Sequence, residues 1–197
     1  MAEKAFNLTR EMLDHSFAET VAPDREKLLT CIQCGTCTAS CPTAYAMDYT
    51  PRQLWRLIQV GLREEVLKSN TYWLCTNCYS CTIRCPRGIS LTETMAALKR
   101  LAIAQGLERP STIQGRVARF YRSFMDSVRR HGRLYEPEFL ITYFAHTNPL
   151  GLAGQGRLGF NLFRKGRISL APSEVKKRGD IAAIFRKAQE LEAGGAP

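Results

Sequence analysis

Eight cysteines could do chemistry in this chain, and they form two copies of one spacing pattern. Each copy reads C-x2-C-x2-C-x3-C-P, a run that is typical of proteins that bind iron–sulfur clusters. All eight cysteines belong to these two runs. We therefore predict two [4Fe–4S] clusters, whose chemistry is the transfer of single electrons. The first run contains Cys31, Cys34, Cys37 and Cys41, and the second contains Cys75, Cys78, Cys81 and Cys85.

The two runs also predict how the ligands are shared. Three cysteines at positions i, i+3 and i+6 can surround one cluster with a tight loop, but the fourth ligand must come from elsewhere. In proteins with two such runs, the fourth cysteine of each run binds the other cluster. The predicted ligands are Cys31, Cys34, Cys37 and Cys85 for the first cluster, and Cys75, Cys78, Cys81 and Cys41 for the second.

Disulfides and structural zinc are the alternative uses of so many cysteines. Residues 1–6 are polar and lack the apolar stretch of a signal peptide. We therefore expect a cytoplasmic, reducing location, where disulfides are rare. Structural zinc sites pair C-x2-C units across a longer gap, which these runs do not resemble. The pattern favours iron–sulfur clusters over both.

The basic charge of the chain is concentrated in its C-terminal half. The chain has 28 Lys and Arg against 18 Asp and Glu, a net charge of +10. Residues 101–197 hold 16 of the basic residues and 8 of the acidic ones. Few aromatic residues alternate with the arginines, as a base-stacking surface would need, so we expect no nucleic acid partner. The excess is better explained by a docking surface for a partner protein with an acidic face.

Helical periodicity dominates the chain, and strand signals are scarce. We predict a mainly α fold with two cluster-binding loops between helices. Three regions follow: an N-terminal helical extension at 1–24, a two-cluster domain at 25–107, and a basic, mainly helical region for partner docking at 108–197. The predicted helices are 8–20, 51–60 between the N-cap Thr50 and the stop Gly61, 63–68, 91 to about 106 with a capping box of Ser90 and Glu93, 111–131, 137–145 and 173–192.

Other motifs carry less weight. Gly154, Gly156 and Gly159 match the G-x-G-x-x-G of dinucleotide-binding proteins, but no convincing strand precedes them. We expect a glycine-rich connector there. Trp55 and Trp73 are most simply core residues. No stretch of 18 apolar residues occurs, so we expect no direct membrane span, and no side-chain arrangement predicts catalysis by this chain alone.

Several stretches resemble the C subunit of heterodisulfide reductase. They are CIQCGTC at 31–37, TPR at 50–52, YWLCTNCYSC at 72–81, RCPRGI at 84–89 and LFRKGR at 162–167. The resemblance implies an α-helical ferredoxin domain, a fold that also occurs in the iron–sulfur subunits of succinate dehydrogenase and fumarate reductase. It further implies a part in an oxidoreductase complex, in which electrons pass between an A subunit, with flavin and clusters, and a catalytic B subunit.

Two other functions stay open at this point. An iron–sulfur subunit of a quinone-linked respiratory enzyme normally adds a [2Fe–2S] domain, for which the chain has no further cysteines. A free-standing ferredoxin is disfavoured by the basic C-terminal half and by the long predicted helices.

Overall fold

The structure is a computed structural model that describes residues 9–107, 112–169, 171–173, 175–176 and 178–194. The secondary structure of these residues is helical, and no strand occurs among them. The prediction of a mainly α fold is therefore confirmed. The chain divides into two compact units at residue 108.

The first unit contains all eight cysteines between short and medium helices. Its described helices are α1 Phe17–Val21, α2 Arg25–Leu29, α3 Thr36–Ala39, α4 Pro51–Val60, α5 Arg63–Lys68, α6 Ser80–Ile83 and α7 Leu91–Ala104. Single 3₁₀ turns occur at Arg10–Met12 and Ala44–Ala46. Buried apolar side chains of α1, α2, α4, α5 and α7 form the core, and burial of this apolar surface holds the loops between the helices in place.

The predicted helix over residues 8–20 is wrong in its middle, and residue 8 lies outside the described residues. The chain leaves its 3₁₀ turn after Met12 and begins α1 only at Phe17. Asp14 interrupts the helix because its carboxylate accepts hydrogen bonds from N and Oγ of Ser16, at 3.0 and 2.6 Å. The backbone N–H of Asp14 donates to the carbonyl of Gly61 at 2.8 Å, which fixes this segment against the end of α4.

Helix α4 begins and ends at the predicted residues. The backbone N–H of Thr50 donates to Oε1 of Gln53 at 2.9 Å, and Pro51 occupies the first helical position. Gly61 ends the helix in the left-handed region with a φ of 85°. Helix α5 likewise spans its predicted residues. Both predictions are confirmed.

Helix α7 begins where predicted, but the predicted capping box is wrong. The side chain of Ser90 makes no capping hydrogen bond. The backbone N–H of Thr92 instead donates to Oγ1 of Thr82 at 3.0 Å, so a side chain from α6 satisfies the first turn of α7. The helix ends at Ala104, slightly before the predicted end, and Gly106 follows with a φ of 63°.

The second unit is also helical in its described part. Its helices are α8 Ile113–His131, α9 Glu136–Thr147, α10 Pro149–Gly154, α11 Gly156–Arg164 and α12 Arg178–Gly194. Helices α8 and α9 pack through aromatic rings, among them Phe120 and Phe139, whose centroids lie 5.0 Å apart. The predicted start of α8 at residue 111 lies outside the described residues, and α12 begins later than the predicted residue 173.

The glycine-rich segment, which the sequence predicts to be a connector, belongs to two helices. Gly154 ends α10, and Gly156 and Gly159 belong to α11. Among the described residues, the helices α9 and α10 precede the motif. A dinucleotide site requires a strand in that place. In the described part of the chain, no helix is long and apolar enough to cross a membrane.

Candidate metal centre

The two cysteine runs adopt the same local backbone. Each run is an irregular loop that leads into one turn of helix, α3 or α6, which carries the third cysteine. Gln33 and Asn77, each two residues after the first cysteine, have positive φ angles of 57° and 52°. Gly35 and Tyr79 occupy the left-handed region just before the short helices, with φ angles of 81° and 59°. Glycine adopts this conformation freely, whereas tyrosine does so at an energetic cost.

The short helix of each run is tied to the longer helix that follows it. Oγ1 of Thr38 accepts a hydrogen bond from the backbone N–H of Arg52 at 3.0 Å. In the second run, Oγ1 of Thr82 accepts one from Thr92 at 3.0 Å. Because both threonines directly follow the third cysteine, these bonds fix that cysteine relative to α4 in one run and α7 in the other.

The structure brings together the four cysteines that the sequence predicts as ligands of the first cluster. Cys31, Cys34 and Cys37 line a cavity together with Cys85 and Pro86 from the second run. Trp55 and Arg52 of α4 also line this cavity, as do Ile89 and Leu91. The fourth cysteine of the second run therefore lies beside the first three cysteines of the first run.

The predicted ligands of the second cluster are three cysteines of the second run and Cys41 from the first run. Burial raises the pKa of the Cys75 thiol most, and the neighbouring thiols of Cys81 and Cys41 raise it further. These three cysteines therefore lie within electrostatic reach of each other. Cys78, the remaining member, is exposed to solvent, as is Cys34 in the first run.

Small polar side chains contact several of the cysteine sulfurs. Hydrogen bonds from Thr36 lower the pKa of Cys34, and hydrogen bonds from Ser80 lower the pKa of Cys78. Metals bind the thiolate form of cysteine, so these contacts favour the binding form at the two exposed positions. The remaining contacts with sulfur are Gln33 with Cys31 at 3.6 Å, Thr43 with Cys41 at 3.5 Å, Asn77 with Cys75 at 3.5 Å and Thr92 with Cys81 at 3.6 Å.

A single metal ion would need ligands that converge on one point. Within the part of the chain that the structure describes, no three His, Cys, Asp or Glu side chains form such a group. A cubane cluster makes a different demand, because its four thiolates bind four separate irons and stand farther apart.

An orphaned polar atom tests whether this site fits a cluster. The side chain of Trp55 is fully buried against the cysteine-lined cavity, and within the described part of the chain its Nε1–H meets no acceptor with hydrogen-bond geometry. A buried donor without an acceptor costs about 1–3 kcal/mol. Burial raises the pKa of the Cys37 thiol, while the nearby indole N–H lowers it, so the donor faces this sulfur. A sulfur-rich cluster supplies the acceptor that this donor lacks, and the residues present therefore fit the group.

A buried cation lies beside the second group of cysteines. Lys99 of α7 is only 8% exposed, and its Nζ donates to the carbonyl of Cys75 at 2.8 Å. Burial lowers the pKa of Lys99, and the adjacent Cys75 thiol opposes this shift. The ammonium group places positive charge where thiolates and a cluster would place negative charge.

The sequence did not predict that Trp55 and Lys99 lie beside the two groups of cysteines. The sequence predicts that Trp55 is a core residue, which its burial supports, but its unpaired N–H depends on the rotation of α4. For Lys99 the sequence does contain a signal. It falls on the same helical face as Leu91, Met95 and Ala102, and a lysine on an apolar face needs a buried partner.

Comparisons with known proteins agree with this geometry. Residues 27–89 match the 4Fe-4S dicluster domain family. The iron-sulfur C subunit of the CoB–CoM heterodisulfide reductase of Methanopyrus kandleri is 43% identical over 94 residues, which cover 45% of this chain and 49% of that protein. The C subunit of the H(2):CoB-CoM heterodisulfide,ferredoxin reductase of Methanothermobacter marburgensis is 38% identical over 100 residues, which cover 50% of this chain and 54% of that protein.

A third relative extends the agreement to another organism. The C subunit of the ferredoxin:CoB-CoM heterodisulfide reductase of Methanosarcina mazei is 43% identical over 83 residues, which cover 42% of this chain and 51% of that protein. The chain spans about half the length of the curated relatives it matches. Over residues 27–89 the chain is thus similar to the 4Fe-4S dicluster domain family, and over about half of its length it is similar to heterodisulfide reductase C subunits.

Proposed function

We propose that this chain is the electron-transfer subunit of a heterodisulfide reductase-like complex and holds two [4Fe–4S] clusters. One observation carries the proposal: each group of cysteines contains the fourth cysteine of the other run. Cys85 lines the cavity of Cys31, Cys34 and Cys37, and Cys41 lies near Cys75 and Cys81. The relatives described above favour this function over that of a quinone-linked respiratory enzyme or a free-standing ferredoxin.

The proposed ligand sets follow from these groups. Cys31, Cys34, Cys37 and Cys85 hold the first cluster, and Cys75, Cys78, Cys81 and Cys41 hold the second. When bound, each cluster accepts and releases one electron at a time. The chain itself provides the thiolates, the polar contacts to them and the buried core that keeps water from their inner side.

The exposed cysteines indicate where electrons enter and leave. Cys34 and Cys78, the second cysteines of the two runs, face solvent, whereas Cys37 is buried. Large apolar side chains are exposed beside them, Ile32 in the first run and Tyr79 in the second. Exposed apolar residues around a reactive centre are typical of a protein-binding surface. We assign one of these edges to the electron donor and the other to the acceptor.

The partners that we propose at these edges are heterodisulfide reductase-like proteins of the A type, with flavin and clusters, and of the catalytic B type. The basic region 108–197 is an additional docking surface, which helix α11 supports. Its apolar side chains Phe160 and Phe163, three residues apart on one side of the helix, are exposed, and Arg157 and Arg164 lie beside Phe160. Such a face suits an acidic protein surface with an apolar centre. A complex of this kind would reside in the cytoplasm, where thiols stay reduced and available to iron.

Iron analysis and EPR spectroscopy test the cluster content. The purified, anaerobic protein should contain about eight irons, and reduction with dithionite should give the signal of two interacting cubanes. About four irons, or zinc in place of iron, would contradict the proposal of two clusters.

Full-chain variants test the docking surface. Phe160→Ser on α11 should reduce co-purification with the partner proteins, because an apolar anchor at an interface is lost. Ile184→Ser on α12 is the matched control, since Phe160 is 65% and Ile184 is 66% exposed. Equal losses of partner binding for the two variants, or no loss for Phe160→Ser, would argue against docking through α11.

A further inference from the structure

The indole N–H of Trp55 has no hydrogen-bond acceptor among the residues that the structure describes, although its side chain is fully buried. Buried polar groups in proteins are nearly always hydrogen-bonded, so an exception of this kind needs a physical explanation. The ring lines the cavity that also contains Cys37 and Cys85.

The position of this indole is fixed by the surrounding helices. The backbone N–H of Arg52 donates to Oγ1 of Thr38, which follows Cys37 directly. The capping interaction of Thr50 with Gln53 holds the first turn of α4, and the carbonyl of Gly61 at its end is bonded to Asp14. Trp55 therefore cannot turn its N–H towards solvent without moving α4.

The second run has no indole at the position equivalent to that of Trp55. Because Arg52 and Thr92 make matching bonds to Thr38 and Thr82, the residue that corresponds to Trp55 is Met95. Met95 is also buried, but its side chain carries no N–H or O–H. A hydroxyl near the second run, that of Thr92, lies 3.6 Å from Cys81 and also bonds to Thr82 at 3.0 Å.

We infer that Trp55 tunes the first cluster by donating its indole N–H to a sulfur of that cluster. This inference rests on the proposed ligand set of the first cluster. Reduction adds one electron and therefore negative charge to the cluster and its thiolates. A hydrogen-bond donor stabilises the more negative state more strongly, so the bond raises the reduction potential of this cluster. The second cluster receives no such contribution from Met95.

An isosteric replacement tests the inference directly. Site-specific replacement of Trp55 with β-(3-benzothienyl)alanine exchanges the N–H for sulfur and keeps the shape of the rings. In an anaerobic redox titration followed by EPR, the equilibrium constant for reduction of the first cluster should fall by threefold to tenfold. A tenfold change corresponds to a shift of about 59 mV for one electron. The second cluster should keep its potential.

Two controls separate tuning from a structural effect. The same replacement at Trp73 should leave the first cluster unchanged, because that ring is not among the residues that line the cysteine-lined cavity. Cys34→Ser and Cys78→Ser variants identify which titration step belongs to which cluster. An unchanged potential of the first cluster, or equal shifts of both clusters, would overturn the inference.

A second measurement leaves the indole N–H of Trp55 in place and detects the hydrogen bond itself. In the Trp73→Phe protein labelled with 15N in the indole of its remaining tryptophan, ENDOR spectroscopy should detect coupling between this nitrogen and the reduced first cluster. Absence of coupling would contradict the hydrogen bond. Iron content shows which claim has failed. About eight irons without coupling would contradict only the role of Trp55, whereas fewer irons would contradict the proposed function.

Discussion

The two halves of the first unit, residues 31–61 and 75–106, share one framework and differ in the side chains that face the cysteines. In both halves a threonine after the third cysteine caps the following helix, Thr38 for α4 and Thr82 for α7. At the position of Trp55 in the first half stands Met95 in the second. The two halves therefore share the interactions that hold the cysteines in place. They differ in the side chains that would set the reduction potentials of the clusters.

A second pair of equivalent residues shows the same division. Gln59 of α4 donates to the carbonyl of Leu28 at 3.0 Å, and Lys99 of α7 donates to the carbonyl of Cys75 at 2.8 Å. Both side chains bind a backbone carbonyl near the start of a run. The second half does so with a positive charge, and the first with a neutral amide. We conclude that the halves are similar in construction and electrostatically different.

The glycines that end the two helices should give the largest difference in stability. Gly61 has a φ of 85°, and a Cβ there would lie 2.6 Å from the carbonyl oxygen of Asp14. Gly61→Ala should therefore destabilise the protein by about 3 kcal/mol, from backbone strain and from displacement of the Asp14 segment. Gly106 has a φ of 63° but open space around a Cβ, so Gly106→Ala should cost about 1 kcal/mol.

Thermal unfolding followed by circular dichroism compares these two glycine variants. The midpoint temperature should fall clearly further for Gly61→Ala than for Gly106→Ala. Equal midpoints would mean that the contact between the Asp14 segment and the end of α4 does not contribute to stability.

Lys99→Gln should make the second half resemble the first in charge. The amide keeps a donor for the carbonyl of Cys75 but removes the buried positive charge, so the second cluster should become harder to reduce. We expect about a tenfold change in its reduction equilibrium, or about 59 mV, in an EPR-monitored titration. Gln59→Lys is the reciprocal variant and should raise the potential of the first cluster. A Lys99→Gln protein with both potentials unchanged would show that this charge is screened from the cluster.

The threonine caps should give a smaller effect that again differs between the halves. Thr82→Val removes the acceptor of the partly buried N–H of Thr92, and we expect a loss of about 1 kcal/mol. Thr38→Val leaves the N–H of Arg52 in a more exposed position, where water can replace the hydroxyl, and should cost less. Chemical denaturation measures both. A larger loss for Thr38→Val would contradict the difference in exposure.

Local signals in the sequence predicted the parts of this structure that depend on neighbouring residues. Helix α4 begins after Thr50 at Pro51 and ends at Gly61, and both bounds follow from local backbone chemistry. The left-handed conformation of Tyr79 was not predictable from its residue type, because a tyrosine there depends on the loop around it.

The wrong predictions concern places where a hydrogen bond from the surrounding structure decides the local conformation. Asp14 breaks the predicted N-terminal helix with a local hydrogen bond to Ser16, but the segment is then held by Gly61, far along the chain. The capping box at Ser90 fails because Thr82 supplies the acceptor for the first turn of α7. The unpaired N–H of Trp55 depends on how α4 faces the cysteines, which only packing decides.

The most direct test of the central claim compares the cysteines that cross between the runs. In anaerobically purified Cys85→Ser protein, the cluster of Cys31, Cys34 and Cys37 should be lost or altered in its EPR signal, while the cluster of the second run keeps its own. Cys41→Ser should give the reverse result. Damage confined to the cluster of the run that carries the substitution would contradict the crossed arrangement.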